Sequence, residues 1–477
     1  MFDDRNKEFK NVYVDLNPVR LSDYEPFVGK AFLERLQKIA EPLQNKIWAN
    51  VNSTCVGGGV AEMLQGIIPF ARGLGIDGRW FVLEGSEEFF RVTKKFHNLL
   101  QGIQQPIALE EIFHAYLDTL SENTKRIKII GDVITIHDPQ PAAMIMSGIL
   151  FGHTFWRCHI DTSRASRRIW RFLLPYINHY SGAIFTAKEF IRENLQIPAY
   201  EITPSIDPLR KKNREYTRKE ALNNLHGLFK ANGIDPERPI IAAVSRYDVH
   251  KNQKGIIRSF RLLKEKIGKK HSPVLIMIGN SATDDPEGAA MLESIREEAN
   301  GASDIHLFVN IENNDIIVGS LMAAATCFVH LSTREGFGLV VSEAMWQKTP
   351  VIGSAVGGIQ KQIVDGVNGF LVEPDDYELT ALRMQECVEN PELRNRMGAE
   401  AKEFVRKRFL LPVMMEKELA LIRYAVEIDK KMPPFRINGA TYSEIIEALY
   451  GRSSWPFEAG EFKKQLEADP ENENSPA

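Results

Sequence analysis

The chain has few cysteines, no long uninterrupted hydrophobic run and little net charge, and each shortage excludes a class of protein. The four cysteines, Cys55, Cys158, Cys327 and Cys387, show neither paired nor metal-ligand spacing, so we expect free thiols rather than a disulfide scaffold. Apolar runs such as residues 318–331 are too short or interrupted for a membrane-spanning helix, which predicts no stable membrane insertion. A formal net charge of -4, with acids and bases interspersed, gives no field that would attract nucleic acid.

The stretch MFDDRNKEFKNVYVDLNP carries acids beside its bases and lacks the apolar core of a signal peptide, so we expect a cytoplasmic protein. The composition is that of an ordinary globular protein, with 44% hydrophobic and 26% charged residues. At 477 residues the chain exceeds what one hydrophobic core usually organises, which predicts two domains with additional segments.

Short β-branched or aromatic runs alternate with helical patterns from Ile47 to Phe404, which is typical of parallel sheets with helical crossovers. The predicted strands form two series, IWANVN, RWFVLEG, DVITIH, TFWRCHI and GAIFTA, then IIAAVSR, PVLIMIG, IHLFVN, CFVHLS and PVIGS. Two series predict an α/β protein with two Rossmann-like domains facing each other across a deep cleft. Such sheets bind ligands at the carboxyl ends of their strands.

The segment PSIDPLRKKNREYTRKE interrupts the apolar pattern with prolines and a charge run, and we place the domain boundary near Asn213. The predicted organisation is an N-terminal extension (1–46), a first Rossmann-like domain (47–213), a second one (214–405), a helix packing back toward the first domain (406–431), and a helical appendage with a disordered acidic tail (432–477).

The first motif is VNSTCVGGGVAEMLQGIIPF, a predicted strand followed by glycines that include Gly58 and Gly59, and then a helix. Glycines let backbone approach a ligand, and the N–H groups and dipole of the helix favour an anionic diphosphate. A tight turn without a ligand explains the glycines equally well. The cluster is not the spaced G-x-G-x-x-G of a dinucleotide site.

The second motif, SRYDVHKNQKG, follows the predicted strand IIAAV and places Arg246 and Lys251 on one loop. Two cations at the carboxyl end of a strand can neutralise both phosphates of a nucleotide-sugar leaving group. A solvated charge run is the alternative. The spacing does not decide whether Lys251 or Lys254 faces the site.

The third motif, STREGFGLVVSEAMW, places Glu335 before Gly336, Phe337 and Gly338, and Glu343 in the predicted helix that follows. One carboxylate can accept hydrogen bonds from sugar hydroxyls and the other from ribose hydroxyls, while the glycines and helix N-terminus hold phosphate oxygens. The alternative is one helix-terminal glutamate and one solvent-facing glutamate.

The fourth pattern combines IHDPQP, with His137 and Asp138, and RCHIDTS, with His159 and Asp161, each at the end of a predicted strand. Imidazoles and carboxylates there can bind sugar hydroxyls or stabilise charge during a reaction. Structural histidines or a zinc site are the alternatives, although no H-E-x-x-H spacing supports zinc. We interpret Cys158 as a buried strand residue rather than a nucleophile.

Over about residues 47–424 these segments resemble the retaining, GT-B-type glycosyltransferases of family four, through the E-x7-E element, the basic pair on the SRYDVHKNQKG loop and the histidine of RCHID. The resemblance implies that Glu335 contacts the donor sugar, Glu343 the ribose, Arg246 with Lys251 the diphosphate, and that His159 lies beside the anomeric centre. The implied catalytic residues are His159, Arg246, Lys251 and Glu335, and the implied donor-binding residues are Gly58, Gly59, Arg246, Lys251, Glu335, Gly336, Phe337, Gly338 and Glu343.

The chain has a narrower likeness to glycosyltransferring trehalose synthases and retaining trehalose phosphorylases, through VNSTCVGGGVAEML, GRWFVLEGSEEFFRVTKKFHNLLQG, HDPQPAA, WRCHID, PSIDP, DDPEG and REGFGLVVSEAMW. It implies transfer of glucose from a nucleoside diphosphate glucose to glucose. The implied acceptor residues are Lys94, His97, Asn98, His137, Asp138 and Asp161. We expect no tightly bound cofactor or metal, stimulation by Mg²⁺, and a homodimer. The alternatives are a phosphorylase, a family-four transferase with another acceptor, and a sugar-nucleotide sensor without activity.

Overall fold

The computed structural model describes residues 14–55, 58–108, 111–126, 128–267, 272–279, 286–312 and 314–428. Its strands are β1 (Ile47–Asn52), β2 (Asp77–Val82), β3 (Ile129–His137), β4 (Leu150–Cys158), β5 (Gly182–Phe185), β6 (Ala199–Glu201), β7 (Ile240–Val244), β8 (Val274–Gly279), β9 (Ile305–Val309), β10 (Cys327–His330), β11 (Val351–Ser354) and β12 (Phe370–Val372). Its helices are α1 (Glu25–Val28), α2 (Lys30–Ala40), α3 (Gly59–Gly73), α4 (Glu87–Leu100), α5 (Asp118–Arg126), α6 (Arg167–Ile177), α7 (Arg218–Ala231), α8 (Gln253–Lys266), α9 (Pro286–Ala299), α10 (Asn314–Ala324), α11 (Leu339–Trp346), α12 (Tyr377–Glu389), α13 (Pro391–Arg408) and α14 (Leu411–Ile428). The predicted appendage and tail after residue 431 lie outside these residues.

In the described residues the strands form two six-stranded sheets, ordered β2-β1-β3-β4-β5-β6 and β12-β11-β10-β7-β8-β9. All their neighbouring strands pair in parallel. The predicted α/β class is therefore confirmed, and each predicted strand has a counterpart. The prediction missed β6 and β12 because each is a three-residue edge strand, too short to give a hydrophobic pattern. We call the parts built on the first and second sheets the first lobe and the second lobe.

The strand order reverses between β1 and β3 in the first lobe and between β7 and β10 in the second. Open parallel sheets bind ligands outside the carboxyl ends of their strands at such reversals. The turn at Gly58 follows β1, and β3 ends at His137; in the second lobe Arg246 follows β7 and Glu335 follows β10. The motifs that the sequence singled out therefore lie at the two reversals.

Apolar side chains cover both faces of the first sheet, as is usual for parallel sheets. On one face, Phe96 of α4 and Trp170 of α6 are buried against the sheet. On the other, α3 and α14 pack with α2 over Trp48 and Trp80. Helix α14 thus lies against the first lobe although it follows the second lobe in sequence, and its Glu418 forms a buried ion pair with Arg157 of β4.

The chain crosses between the lobes twice, and the two crossings are joined. Ile206 pairs with Leu410 in a parallel bridge, and its N–H donates to the carbonyl of Phe409 at 2.8 Å. The segment before β1 spans the same region, since Tyr24 donates to Asp207 at 3.1 Å and the ring of Phe27 lies 5.9 Å from that of Trp346. The domain limits given above remain a prediction.

None of the helices in the described ranges has both the length and the apolar character needed to cross a membrane. All four cysteines are free thiols, as predicted, and Cys158, Cys327 and Cys387 are buried.

Candidate active site

Glu335, in the loop after β10, has a carboxylate that is 12% exposed and whose Oε2 is held by three groups. It accepts hydrogen bonds from Lys251 Nζ at 2.6 Å, from His330 Nε2 at 2.8 Å and from Ser332 Oγ at 3.0 Å. Burial raises the pKa of Glu335, but Lys251 and His330 outweigh it and hold that pKa well below its usual range. Because all three bonds use Oε2, Oε1 of the ionised carboxylate can address a ligand.

Arg246 and Lys251 share the loop after β7 but differ in environment. Lys251 is bound to Glu335, whereas Arg246 is exposed, and its guanidinium makes no hydrogen bond or ion pair with the residues that the structure describes. Lys254 lies near Glu298 instead, since its charge helps to lower the pKa of that glutamate. The lysine that faces the site is therefore Lys251, which the spacing alone could not decide.

The glycines of the EGFG segment allow the two lobes to touch. A β-carbon at Gly336 would overlap the backbone carbonyl of His159, so only glycine fits there. A β-carbon on Gly59, the first residue of α3, would lie 3.4 Å from Leu339 Cδ1, at the first residue of α11. Gly338 precedes α11 with φ +81°. The N-termini of α3 and α11 thus meet at the junction, where their free N–H groups favour anions.

Two other predicted donor-binding residues can contact a ligand through their backbone but not through a side chain. Gly58 has φ +83°, a left-handed conformation that glycine adopts without strain, and it turns the chain from β1 into α3. Phe337 is buried and its ring packs at 5.3 Å from that of Phe409. Phe337 can therefore offer a ligand its backbone, while its side chain belongs to the core of the second lobe.

The histidines after β3 and β4 form a hydrogen-bonded chain. His137 Nε2 lies 3.0 Å from Asn50 Oδ1, and His137 Nδ1 lies 3.0 Å from His159 Nε2. Burial, reinforced by Arg157, lowers the pKa of both histidines well below the usual value, so both are neutral. If His137 donates to Asn50, its Nδ1 accepts from His159, which leaves His159 Nδ1 as an acceptor. The Asp138 carboxylate accepts the backbone N–H of His159 at 2.8 Å.

Asp138 and Asp161 both accept hydrogen bonds from backbone N–H groups of the loop that follows β4. Burial raises the pKa of Asp138 to about 7, although the His159 N–H and Arg157 lower it. Asp161 Oδ1 accepts from the N–H and the hydroxyl of Ser163, at 3.0 and 2.6 Å. Its Oδ2 lies 3.8 Å from Nη1 of Arg334 in the second lobe, so Asp161 also joins the lobes.

The predicted acceptor residues of α4 line the other side of the junction. Lys94 donates to Asp248 Oδ2 at 3.1 Å and so links α4 to the loop after β7. Burial, followed by the charges of Lys94 and Arg246, lowers the pKa of His97 to about 3. Asn98 is 5% exposed and is more buried than Lys94 and His97. His97 therefore stays neutral beside cations that can bind an anionic group.

Glu343 does not touch the pair formed by Lys251 and Glu335. It is 1% exposed, and its Oε1 lies 2.7 Å from Lys212 Nζ, which also lies 2.5 Å from Glu62 Oε1 on α3. Burial raises the pKa of Glu343 to about 7 with help from Glu62, against the attraction of Lys212. The second predicted glutamate thus faces the lobe junction from a separate position on α11.

In the described part of the chain, no group of three or more histidine, cysteine, aspartate or glutamate side chains could hold a metal ion. The two histidines bond to each other and to Asn50 instead.

Comparison with known proteins identifies the family. Residues 50–192 match the family described as trehalose synthase, N-terminal domain, and residues 227–404 match glycosyl transferases group 1. The chain is 40% identical over 406 residues to a trehalose synthase of Pyrococcus horikoshii, covering 84% of this chain and 96% of the relative. This chain belongs to the trehalose synthase family of group 1 glycosyltransferases. It is accordingly a hexosyltransferase.

More distant matches extend the family. A trehalose synthase of Rubrobacter xylanophilus is 37% identical over 408 residues, with 84% of this chain and 96% of the relative covered. A trehalose phosphorylase of Grifola frondosa is 28% identical over 81% of this chain and 58% of the relative. The fold matches an alpha,alpha-trehalose-phosphate synthase (UDP-forming) from Burkholderia xenovorans with TM-score 0.64 and 14% identity, covering 79% of this chain and 100% of that chain. The GT-B architecture expected from the sequence is thereby confirmed.

In this member of the family, sequence reasoning missed several residues of the site. His330 and Ser332 bond to Glu335, and Asp248 bonds to Lys94. Lys212 bonds to both Glu343 and Glu62. The ends of β10 and β7 could have indicated His330 and Asp248, because polar residues at the carboxyl ends of strands are candidates. Lys212 gave no such signal, since it lies in a charge run that is also typical of a linker.

Proposed function

We propose that this chain transfers glucose from a nucleoside diphosphate glucose to free glucose, with retention of the anomeric configuration, and forms trehalose. The trehalose synthases that it resembles at 37–40% identity support the product. The observation that carries the chemistry is the ionised Glu335, bonded to Lys251 and adjoining Gly336, which touches His159 across the junction.

The cations of the second lobe suit the leaving group. When the bond between the anomeric carbon and the diphosphate oxygen breaks, negative charge develops on that oxygen, and fixed cations stabilise it strongly in a site without bulk water. We propose Arg246 and Lys251 for this role. Arg246 is exposed and has no anionic partner among the described side chains, and Lys251 pairs with Glu335. The acceptor hydroxyl attacks the anomeric carbon from the same face, and its proton passes to the departing phosphate.

The first lobe offers polar groups suited to a neutral sugar. His137 and His159 are uncharged, and His159 Nδ1 can accept a hydrogen bond from a hydroxyl. We propose that this side binds the acceptor, through residues drawn from the predicted acceptor set of Lys94, His97, Asn98, His137, Asp138 and Asp161. No enzymic nucleophile is required, so Glu335 binds donor hydroxyls through Oε1 and attacks nothing.

The test is incubation of the protein with ADP-glucose, UDP-glucose or GDP-glucose plus glucose, followed by analysis for a non-reducing disaccharide. Formation of α,α-trehalose with release of the nucleoside diphosphate supports the proposal and identifies the donor base. If none of the three donors gives the disaccharide, the trehalose assignment is wrong.

A trehalose phosphorylase is the second candidate, favoured by the match to the Grifola frondosa protein. It would use inorganic phosphate where the proposed enzyme uses a nucleoside diphosphate. Trehalose breakdown by phosphate in the absence of any nucleotide, yielding glucose 1-phosphate, would establish this candidate instead.

We further propose a cytoplasmic homodimer without a tightly bound cofactor, stimulated by Mg²⁺ because the cation neutralises part of the donor diphosphate charge. Light scattering on the purified chain tests the dimer. Transfer rates with Mg²⁺ and with a chelator test the metal, and an unchanged rate would remove the stimulation.

A further inference from the structure

Lys212 joins three parts of the fold that are distant in sequence. It lies in the crossing from the first lobe to the second, and its ammonium group contacts Glu343 on α11 at 2.7 Å and Glu62 on α3 at 2.5 Å. The side chains of Lys212, Glu62 and Glu343 are 11%, 27% and 1% exposed. Both contacts use the Oε1 atoms of the glutamates, so Lys212 does not engage Oε2 of Glu343.

The available oxygen is Glu343 Oε2, which is buried and has no hydrogen-bond partner among the described residues. A buried carboxylate oxygen without a donor is costly, so a ligand hydroxyl that donates to it would be stabilised. Glu343 lines a small pocket at the lobe junction together with Glu62 and Leu339. Leu339 lies against Gly59, where the N-termini of α3 and α11 meet. Glu343 follows Leu339 by four residues, so it lies about 6 Å further along α11. The ribose hydroxyls of a nucleotide whose diphosphate binds at that helix terminus could reach this distance.

Lys212 is fixed relative to Glu343 by its own backbone. A β-carbon on Gly319 of α10 would overlap the carbonyl of Lys212, so this segment packs directly on the second lobe. The indole N–H of Trp346, at the end of α11, donates at 2.8 Å to the carbonyl of Asn213, which follows Lys212 in the chain. Lys212 is therefore held to the helix that carries Glu343, while Glu62 reaches it from the first lobe.

We propose that Lys212 is a positioning residue for the nucleotide donor: by binding Oε1 of Glu343 it orients the carboxylate so that Oε2 accepts a hydrogen bond from a ribose hydroxyl. Glu62 holds the ammonium group from the opposite lobe. This inference rests on the proposed function, because it requires a nucleoside diphosphate donor.

The experiment measures calorimetric binding of ADP, UDP and GDP and of their 2′,3′-dideoxy analogues, without any transfer reaction. We expect the wild-type chain to bind its preferred nucleotide about tenfold or more tightly than the analogue, as a hydrogen bond to a charged group implies. In Lys212→Met the ratio of the two affinities should fall to about twofold. The ribonucleotide should bind more weakly, and the affinity for the dideoxy analogue should not change. Lys212→Arg, which keeps the charge, should retain most of the discrimination.

The matched control is Lys211→Met, since Lys211 is adjacent and exposed. It should leave the discrimination unchanged. In transfer assays Lys212→Met should raise the donor KM with little change in kcat, whereas a merely structural defect would lower the active fraction and kcat. If Lys212→Met does not fold, Glu62→Gln gives a second measurement, with a smaller loss of discrimination expected.

Full discrimination in Lys212→Met would overturn the role of Lys212 and leave the proposed function standing. Failure of the wild-type chain to bind any of the three nucleotides would overturn the nucleotide donor itself, and the role of Lys212 with it. The two failures are thus distinguished by the wild-type measurement.

Discussion

The two lobes present different electrostatics at their facing edges. In the second lobe, Glu335 and Lys251 are charged and pair directly at 2.6 Å, and Arg246 adds an exposed cation. In the first lobe, His137 and His159 are neutral because burial and Arg157 lower their pKa values. The fixed charges after β7 and β10 suit a leaving diphosphate, and the neutral imidazoles at the ends of β3 and β4 suit a sugar. This difference supports the proposed division of glycosyl transfer between the lobes.

The contrast has a structural cause. A charge that is removed from water needs a partner, and the second lobe supplies one for Glu335 in Lys251. In the first lobe, Arg157 of β4 pairs instead with Glu418 of α14. The imidazoles at the strand ends are left with hydrogen bonds to each other and to neutral Asn50. The predictions below test this division, from the largest expected effect to the smallest.

Lys251→Ala should produce the largest loss. Removal of a fixed cation at the developing phosphate charge lowers kcat by roughly 10²–10³-fold. The change also leaves the buried Glu335 without its ammonium partner, so the variant should be destabilised by about 3 kcal/mol. Steady-state kinetics well below the thermal midpoint, with calorimetry on the same sample, separates the two effects. Lys254→Ala is the matched control and should retain activity; equal loss in both variants would contradict the assignment.

Arg246→Ala should reduce kcat by about 10²-fold while leaving stability within about 0.5 kcal/mol of the wild-type value. The reason is that Arg246 is exposed and its guanidinium makes no hydrogen bond or ion pair with the described residues. Steady-state kinetics and calorimetry on the same sample measure the two effects. A variant with wild-type turnover would remove Arg246 from the leaving-group site.

On the first lobe, Asp138→Ala should lower kcat by about tenfold because His159 loses the bond that fixes its backbone, a smaller effect than loss of a charge at the leaving group. Asp138→Asn should keep most of the activity, since asparagine can accept the same N–H and tolerates the φ of +63°. The asparagine variant also removes a group whose pKa is about 7, so any limb of the pH profile near 7 that persists belongs to another residue. Equal loss in both variants would indicate that the charge of Asp138 is what matters.

Titration of His97 should contribute to the pH dependence of stability. Its pKa is about 3 in the folded chain against 6.5 in the unfolded one, so between these values the unfolded state binds a proton that the folded state does not. The free energy of unfolding therefore falls as pH decreases from about 6.5 to about 3. His97→Gln should lose less stability over that interval, as measured by denaturant unfolding at several pH values. An identical slope in both proteins would show that His97 titrates normally.

Local patterns made much of this fold predictable. Hydrophobic periodicity located each of the ten strands predicted, and the rule that ligands bind at carboxyl ends of parallel strands singled out His137, Arg246 and Glu335. The same rule could not separate Lys251 from Lys254, because the two residues are only three positions apart after β7. The structure places Lys254 in α8 and Lys251 before that helix begins.

The bonds that tune the site could not be predicted in this way. Lys212 looked like part of a solvated linker, yet it contacts Glu62 and Glu343, which lie far from it on either side in sequence. Phe337 lies in a ligand-like motif, yet its ring packs on Phe409. Pairing across such distances depends on how the two sheets are set against each other, which no local window contains.

The sequence by itself determined the two parallel sheets and the polar residues at their strand ends, since strand formation depends on short apolar runs and turn residues that neighbours in the chain supply. Tertiary structure alone decided which charges are paired, which histidines stay neutral and which carboxylate oxygen is left without a donor. The physical reason is that burial and partner distance, rather than residue type, set the charge state of a side chain, and both arise only when the lobes come together.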